Sequence, residues 1–345
     1  MRDDAPPVWF MRQAGRSLPE YRAVREGVGM IESCLRPELA AEITVQPVRR
    51  HLVDGAVLFS DIVVPLRLAG VDVDIAPGVG PVLGAPVRTA DDVARLEDLR
   101  LTEEALTPIT DAVRLTTALL ASTPGASGTG DTPLLGFGGA PFTLAAYMVE
   151  GRPSRDHLAA RALMHADPEL WSRLLTWCAD VTSAFLVAQA RAGASAVQLF
   201  DSWAGSLSLR DYETSVAPFS ARALDAVRAL DVAGQRVPVI HFGTHTGHLL
   251  AAMRDAGADV VGVDHRTPLR EASERLGGAT PLQGNIDPAL LFTPRATLAA
   301  HVADVIEQGR AAPSHIVNLG HGVPPDADPD VLTDVVRMVH ESGPR

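Results

Sequence analysis

The chain has 345 residues, of which 46% are hydrophobic and 21% charged, so it can bury a large core. Its 42 acidic and 30 basic residues give a formal net charge of −12, which argues against binding to the phosphate backbone of nucleic acids. The sequence has no run of about 18 apolar residues and no apolar leader at its start, so it predicts a cytoplasmic protein without a membrane span.

Two further limits follow from composition. Cys34 and Cys178 lie far apart with no Cys or His partner at metal-binding spacing, so we expect neither a disulfide nor an iron–sulfur cluster. The acidic net charge repels anionic ligands at long range. Any anion site must therefore be built locally, from a few arginines and backbone N–H groups.

The chain alternates short apolar runs with amphipathic stretches, which indicates a parallel α/β fold. Eight strands with helices between them favour a (β/α)8 TIM barrel, although a doubly wound open sheet would leave the same pattern. The predicted helices include residues 38–52, 103–120, 168–192, 212–230, 269–276 and 295–309. The predicted strands are residues 8–11, 56–60, 134–137, 196–200, 238–242, 260–263, 281–283 and 316–319.

Two stretches interrupt this alternation. Residues 63–90 are rich in Gly and Pro with alternating Val and Asp, which predicts a hairpin-like excursion after the second strand. Residues 121–133 are small and polar and predict a mobile loop. Because no repeat or linker can be read, we expect residues 1–345 to form a single barrel domain.

Chemically active residues follow every predicted strand. Ligands of parallel α/β folds lie at the carboxyl ends of the strands, so residues at these positions are candidates for a common site. The candidates, in chain order, are Arg12 to Arg16, Asp61, Tyr147 beyond Gly138 to Pro141, Asp201 to Gly205, Gly243 to His245, Asp264 to Arg266, Gly284 to Asp287, and Gly320 to Gly322.

Arg12 and Arg16 are the main candidates for binding an anion, because a planar guanidinium suits bidentate contact with carboxylate or phosphate. Gly15 between them allows the backbone to approach a ligand, and Gln13 is adjacent. An isolated pair of arginines could equally form ordinary surface ion pairs. Their position directly after a buried strand favours anion binding.

For single polar residues at the other strand ends, a functional role and a structural role are both possible. Asp61 suits stabilisation of a positive charge, but it could also cap the following turn. Ser202 could be a cap and Tyr147 a core residue of a helix. His321 lies between two glycines that leave its imidazole accessible, which favours a functional role.

Three nearby histidines, His241, His245 and His248, raise the question of a metal site. His241 lies within a predicted strand and no cysteine joins the group, so structural roles are the preferred interpretation. Asp264 and Asp287 could each be a cap or a ligand contact.

No motif for an organic cofactor can be read. The Gly-containing segments at residues 128–130 and 136–138 do not extend to the dinucleotide fingerprint or to the phosphate-binding loop. A nucleophile elbow of the form G-x-S-x-G is absent as well.

Several long motifs run in order through essentially the whole chain. They are PVWFMRQAGRSLPEY at 7–21, LFSDI at 58–62, GFGGAPFTLAAYMVEG at 136–151, QLFDSWAG at 198–205, LQGNIDP at 282–288 and NLGHGVPPD at 318–326. Together they resemble the uroporphyrinogen decarboxylase family. Motifs of this length in the same order are highly specific.

The resemblance implies a (β/α)8 barrel that forms a homodimer with facing clefts and uses no metal or organic cofactor. Its substrate would be uroporphyrinogen III, whose four acetate side chains become methyl groups to give coproporphyrinogen III in haem biosynthesis. The implied substrate-binding residues are Arg12, Gln13, Ala14, Arg16, Asp61, Tyr147, Ser202 and His321.

The resemblance also implies roles for these residues. Asp61, the central catalytic group, would hold the pyrrole N–H groups and stabilise the cation formed by ring protonation. Arg12 and Arg16 would clamp carboxylates, with Arg12 a candidate for proton relay, and His321 would bind a carboxylate at the opposite rim. Tyr147, the third catalytic candidate, would position the reacting acetate with Ser202. The ring proton could come from water or from a clamped carboxylate, because arginine is a poor acid.

Two positions depart from the family pattern. Family members carry a helix before the first strand, so here either the barrel floor is uncovered or the chain begins upstream of Met1. His265 stands where the family often has Trp, and no role is assigned to it.

Two other functions fit a similar pocket. A corrinoid-dependent methyltransferase of the same superfamily would need thiolate and imidazole zinc ligands in a His-x-Cys pattern, whereas His241 is followed by Phe242 and Gly243. A catalytically inactive tetrapyrrole carrier would bind the substrate without turnover.

Overall fold

The computed structural model describes residues 5–126, 128–232 and 234–343. Residue 127, inside the predicted polar loop, lies outside the described residues. The helices are α1 Pro19–Val24, α2 Met30–Cys34, α3 Pro37–His51, α4 Val64–Leu68, α5 Ala90–Glu97, α6 Glu103–Ala121, α7 Pro141–Glu150, α8 Leu158–Ala166, α9 Pro168–Ala192, α10 Leu209–Ser215, α11 Ala217–Arg228, α12 Leu250–Asp255, α13 Leu269–Arg275, α14 Arg295–Gly309 and α15 Pro329–His340. Short 3-10 helices span Ala204–Ser206 and Pro288–Phe292.

The strands form one large parallel sheet and two small antiparallel pairs. They are β1 Ala56–Val57, β2 Val73–Ala76, β3 Gly80–Leu83, β4 Leu134–Gly139, β5 Ala196–Phe200, β6 Asp231–Val232, β7 Gln235–Arg236, β8 Val239–Phe242, β9 Val260–Gly262, β10 Leu282–Ile286 and β11 His315–Leu319. The large sheet has seven strands in the order β1-β4-β5-β8-β9-β10-β11, and β2 pairs with β3 over residues 73–83. The curled parallel sheet with its helices is a TIM-barrel-like α/β fold.

The first predicted strand, residues 8–11, is present only as a single parallel bridge between Val8 and Val317. Side chains take the place of strand partners for three of its N–H groups. The N–H of Val8 donates to Asp54 Oδ2 at 2.8 Å, that of Phe10 to Gln13 Oε1 at 2.9 Å, and that of Met11 to Asn318 Oδ1 at 3.1 Å. A regular ladder cannot form where these side chains occupy the N–H groups.

The predicted helix over residues 212–230 is wrong as one element, because the chain breaks at Val216. This residue has φ −135° and ψ −50° and separates α10 from α11. Pro218 lies in the first turn of α11, where its missing N–H is tolerated but could not continue a preceding helix. By contrast, α9 and α14 have the predicted bounds, and the side chain of Asp167 caps the start of α9.

The core lies on both faces of the sheet. Three aromatic rings line its inner face, with centroids 5.4 Å apart for Phe137 and Phe200 and 6.0 Å apart for Phe200 and Phe242. On the outer face, Val197 and Leu199 of β5 pack with Leu224 of α11. Both faces are buried, as the near-continuous apolar runs of the sequence predict.

No helix in the described part of the chain combines the length and the apolar character needed to cross a membrane.

Candidate active site

The candidate residues lie at one edge of the sheet because its strands are parallel. Asp61 follows β1, Ser202 follows β5 and His321 follows β11, while Tyr147 lies on α7 directly after β4. Arg12 follows the segment bridged to β11. These five positions therefore surround the carboxyl ends of the strands.

Arg12 adopts φ 60°, a left-handed conformation that is uncommon for residues other than glycine. Its side chain lies against Gly322, where a Cβ atom would come within 2.6 Å of Arg12 Cδ. Any side chain at position 322 would therefore displace the arginine. Arg12 is exposed, and its charge acts on Asp61, Tyr147 and His321.

Arg16 is also exposed, and its carbonyl accepts a hydrogen bond of 2.7 Å from Arg22 Nη1. Neither Arg12 nor Arg16 forms an ion pair with another residue of the described chain. A Cβ atom at Gly15 would come within 2.8 Å of the carbonyl oxygen of Arg12, so only glycine fits this tight turn. Ala14 is half-buried and packs against the core. The turn thus presents two guanidinium groups without carboxylate partners.

Gln13 supports the candidate site through its side chain. Its side chain is fully buried, and both atoms of its amide are occupied by backbone groups. Oε1 accepts from the N–H of Phe10 at 2.9 Å, and Nε2 donates to the carbonyl of Gly55 at 2.8 Å. The side-chain amide therefore links the first segment to the start of β1. The side chain thus supports the Arg12–Arg16 turn, and the expected substrate contact of Gln13 stays a prediction.

Asp61 is half-buried at this edge of the sheet, after β1. Burial raises its pKa, while a 3.1 Å hydrogen bond from the N–H of Val63 and the positive charge of Arg12 oppose that rise. The hydrogen bond is the capping contact that the sequence allows. It occupies Oδ1, so the same carboxylate can cap the turn and face a cation.

Tyr147 lies in a stack of three rings. The centroid of Trp203 is 3.8 Å from that of Tyr147 and 4.2 Å from that of His157. Burial and the nearby charge of Asp61 raise the pKa of Tyr147, so its hydroxyl remains protonated and can donate a hydrogen bond at neutral pH. Trp203 and His157 hold the ring. Trp203 is one of the strand-end candidates, whereas His157 was not predicted to contribute to the site.

Ser202 is half-buried, and its carbonyl accepts a 2.6 Å hydrogen bond from Thr244. The residue before it, Asp201, is fully buried and accepts 3.0 Å from the hydroxyl of Thr143 on α7. His241 of β8 lies 3.7 Å from the other oxygen of Asp201. The hydrogen bond between Thr143 and Asp201 joins the loop of Ser202 to the helix of Tyr147.

His321 is exposed at the edge of the site. Partial burial, together with the charge of Arg12, lowers its pKa. Its imidazole is therefore neutral over a wider pH range than a free histidine. A bound carboxylate would oppose this effect by favouring the protonated ring.

The three histidines considered as metal ligands do not converge. His241 faces Asp201, His248 Nε2 contacts the carbonyl of Leu207 at 2.8 Å, and the N–H of His245 donates to Asp264 Oδ2 at 2.6 Å. Asp287 caps the 3-10 helix after β10 through the N–H of Ala289. Within the described ranges, no group of three His, Cys, Asp or Glu residues is arranged to hold a metal ion.

Comparisons with known proteins show which family the chain belongs to. The uroporphyrinogen decarboxylase (URO-D) family profile matches residues 2–342. A uroporphyrinogen decarboxylase of Arthrobacter sp. (strain FB24) is 67% identical over 98% of this chain and 93% of its own length. That of Leifsonia xyli is 58% identical over 98% and 91%, respectively.

A solved structure, a methyltransferase from Methanosarcina mazei, superposes with a TM-score of 0.75 over 99% of this chain and 95% of its own. At 15% identity, that likeness concerns the fold alone. The family profile and the close relatives together show that the chain belongs to the uroporphyrinogen decarboxylase family.

Proposed function

We propose that the protein removes CO2 from the four acetate side chains of uroporphyrinogen III to give coproporphyrinogen III, without a metal or organic cofactor. Family membership supports this activity over the whole chain. The observation that carries the mechanism is a half-buried Asp61 beside an Arg12 that has no ion-pair partner among the described residues. Together they offer one anionic and one cationic group at the carboxyl ends of the strands.

The chemistry needs an electron sink. Protonation of a pyrrole ring carbon creates a cation, and the C–C bond to the carboxylate then breaks so that its electron pair neutralises the ring. The methylene group that remains takes up a proton to become methyl, and the ring carbon loses the proton it gained. An anion close to the pyrrole lowers the energy of the cationic intermediate, which is the role of Asp61.

The other residues bind and orient the substrate. Arg12 and Arg16 clamp acetate and propionate carboxylates, and His321 binds a carboxylate at another part of the rim. Tyr147 donates a hydrogen bond to the reacting acetate, with Ser202 beside it. Arg12 stays a candidate for proton relay, but a guanidinium is too weak an acid to be the source of the ring proton. The ring proton comes from water or from a clamped carboxylate.

We also propose that the sheet closes into a (β/α)8 barrel within a single domain that spans residues 1–345. In support, the segment at Val8 contacts β11 on one side and, on the other, a residue two positions before β1. The N–H of Val317 donates to the carbonyl of Pro7 at 2.8 Å, and the N–H of Asp54 donates to that of Val8, also at 2.8 Å. The β2–β3 pair is then the hairpin excursion after the second barrel strand.

We infer a homodimer with facing clefts, on the strength of the family resemblance. Light scattering of the purified protein is expected to give twice the chain mass of 36.5 kDa. A mass equal to one chain at micromolar concentration would exclude a stable dimer.

Turnover of uroporphyrinogen III under anaerobic, reducing conditions tests the proposed function. Oxidation of the samples and chromatography separate the products by their number of carboxylates. We expect a time-dependent conversion through partially decarboxylated intermediates to coproporphyrinogen. Substrate that binds tightly but is recovered unchanged would instead identify an inactive tetrapyrrole carrier.

Removal of metal tests the cofactor-free mechanism. Because Asp61 and the arginines supply the charges, we expect activity to survive prolonged treatment with excess chelator. Strong inhibition that added zinc or another metal reverses would contradict this mechanism and favour a metal-dependent transferase.

A further inference from the structure

The turn of residues 320–322 packs tightly between two other parts of the site. A Cβ atom at Gly320 would come within 2.2 Å of the backbone nitrogen of His265 and 2.6 Å of its Cβ. On the other side, Gly322 lies against the side chain of Arg12. The two glycines therefore fix His321 between Arg12 and the loop that follows β9.

The loop after β9 is itself rigidly held. Asn285 Nδ2 donates to the carbonyls of Asp264 and Thr267, at 2.9 and 2.6 Å. The buried carboxylate of Asp264 accepts from the N–H of His245 at 2.6 Å and from the N–H of Arg266 at 3.2 Å. The position of Arg266 at the edge of the site is thus defined by contacts on both sides of it.

The guanidinium of Arg266 keeps most of its capacity for hydrogen bonds. Its Nη1 lies 3.6 Å from Asp264 Oδ2, which is longer than a good hydrogen bond, and that carboxylate already accepts two backbone N–H groups. The side chain is 52% exposed. Asp264 therefore anchors Arg266 and neutralises it only in part.

Arg266 and His321 also act on each other electrostatically. The charges of Arg12 and Arg266 are among the causes that lower the pKa of His321, after partial burial. Several basic groups around one imidazole disfavour its protonated form in the empty protein. A carboxylate bound among them would relieve that repulsion.

We propose that Arg266, beside His321, binds a further carboxylate of the tetrapyrrole at the rim of the cleft. This inference rests on the proposed function, and it assigns an anion subsite to Arg266, a strand-end candidate for which the sequence predicts no specific role. A substrate with four acetates and additional propionates presents more carboxylates than Arg12, Arg16 and His321 can bind. The carboxylate is an acetate or a propionate, and the two cases are separable by experiment.

The test compares KM and kcat for uroporphyrinogen III in the wild type, Arg266→Gln and Arg266→Met. Both variants remove the charge at a half-exposed position, so the fold should tolerate them. Loss of a charge-assisted hydrogen bond is expected to raise KM about tenfold while kcat stays within about twofold. Arg270→Gln is the matched control, because Arg270 is exposed on α13 one turn further along the chain.

The same variants assayed with partially decarboxylated intermediates identify the group that is bound. A propionate gives the same rise in KM for every substrate, whereas an acetate gives a smaller rise once that acetate has become a methyl group. A KM within about twofold of the wild type for both folded variants would overturn the subsite. An equal rise in Arg270→Gln would overturn it as well. If the wild type turns over and the Arg266 variants have a normal KM, the subsite is refuted and the proposed function stays intact. If the wild type does not turn over, the proposed function and the subsite are both overturned.

Discussion

Asp61 combines two requirements that oppose each other. A carboxylate that stabilises a cation must be ionised and largely shielded from water, yet burial raises its pKa and disfavours ionisation. Arg12 and the N–H of Val63 partly restore the charged form. The fraction of Asp61 that is ionised therefore depends on the N–H of Val63 and on Arg12 as well as on the burial of the carboxylate.

Substitution of Arg12 tests this dependence. If ionised Asp61 is required for turnover, its pKa sets the acidic limb of the profile of kcat/KM against pH. Removing a positive charge that lowers the pKa of Asp61 must raise that pKa, so Arg12→Gln should move the acidic limb to higher pH. The position of the limb is measured apart from the loss of affinity that the variant also causes.

Arg16→Gln is the matched control for this experiment. It removes a neighbouring guanidinium that is not among the causes of the pKa shift of Asp61. It should weaken substrate binding and leave the acidic limb in place. A limb that does not move in Arg12→Gln, or that moves to lower pH, would refute the coupling.

At the scale of elements, the buried side-chain amide of Gln13 forms hydrogen bonds that backbone groups of a neighbouring strand would form in a regular ladder. It satisfies the N–H of Phe10 and the carbonyl of Gly55, which would otherwise be unpaired in the interior. This contact explains how an irregular segment joins β1 and still holds the adjacent Arg12–Arg16 turn.

Gln13→Leu is expected to reduce the free energy of unfolding by about 2–4 kcal/mol, because two buried backbone groups lose their partners. The displaced turn should also raise KM for uroporphyrinogen III. Urea denaturation and steady-state kinetics measure the two effects. Gln308→Leu serves as control, since its amide bonds the exposed Asp304. A free energy of unfolding of Gln13→Leu equal to that of the wild type would mean that the Gln13 amide does not stabilise this edge of the sheet.

The sequence predicts the regular elements well where periodicity decides them. Strands from β4 to β11 in the large sheet and helices such as α9 and α14 lie where buried apolar runs and amphipathic stretches indicate them. The prediction of a regular first strand is wrong because the partners of its N–H groups include the side chains of Asp54 and Asn318, which are distant in sequence. The prediction of one helix over residues 212–230 is wrong at Val216. Pro218 is compatible with an interrupted helix as well as with the start of a new one, so the sequence does not decide between them.

The candidate site was predictable to a similar extent. Strand ends drew attention to Asp61, Tyr147 and His321, and electrostatic effects on their pKa values connect all three to Arg12. The supporting groups were not predictable, because a stack such as Trp203 on Tyr147 depends on how a loop and a helix meet. Trp203 lies among the strand-end candidates, directly after Ser202, but its stacking on Tyr147 cannot be read from the sequence.

At the scale of the whole molecule, a buried histidine links stability to pH. His51, at the end of α3, contacts the hydroxyl of Thr333 on α15 at 2.7 Å, so it joins helices near the two ends of the chain. Burial and the charge of Arg50 lower its pKa to about 4, while Glu20 opposes the shift. Below its ordinary pKa of 6.5, the unfolded chain binds a proton that the folded protein does not.

The protein should therefore lose stability as pH falls from about 6.5 towards 4. Between pH 7 and pH 5, His51 alone should lower the free energy of unfolding by about 2 kcal/mol. In His51→Gln this part of the pH dependence should disappear, as measured by urea midpoints at the two pH values. His165→Gln, at an exposed position on α8, is the control and should retain the wild-type dependence. The same dependence in both variants would exclude His51 as its source.

The central claim is that the anion of Asp61 stabilises a cationic intermediate, and the rate of decarboxylation in Asp61→Asn tests it most directly. Asparagine keeps the volume and an oxygen that can accept from Val63, so the fold and its thermal midpoint should be preserved. Asp287→Asn, another carboxylate directly after a strand, is the matched control. We expect a loss of at least about 100-fold in kcat for Asp61→Asn and near-normal turnover for the control. Near-normal kcat in a folded Asp61→Asn protein would contradict the proposed role of Asp61.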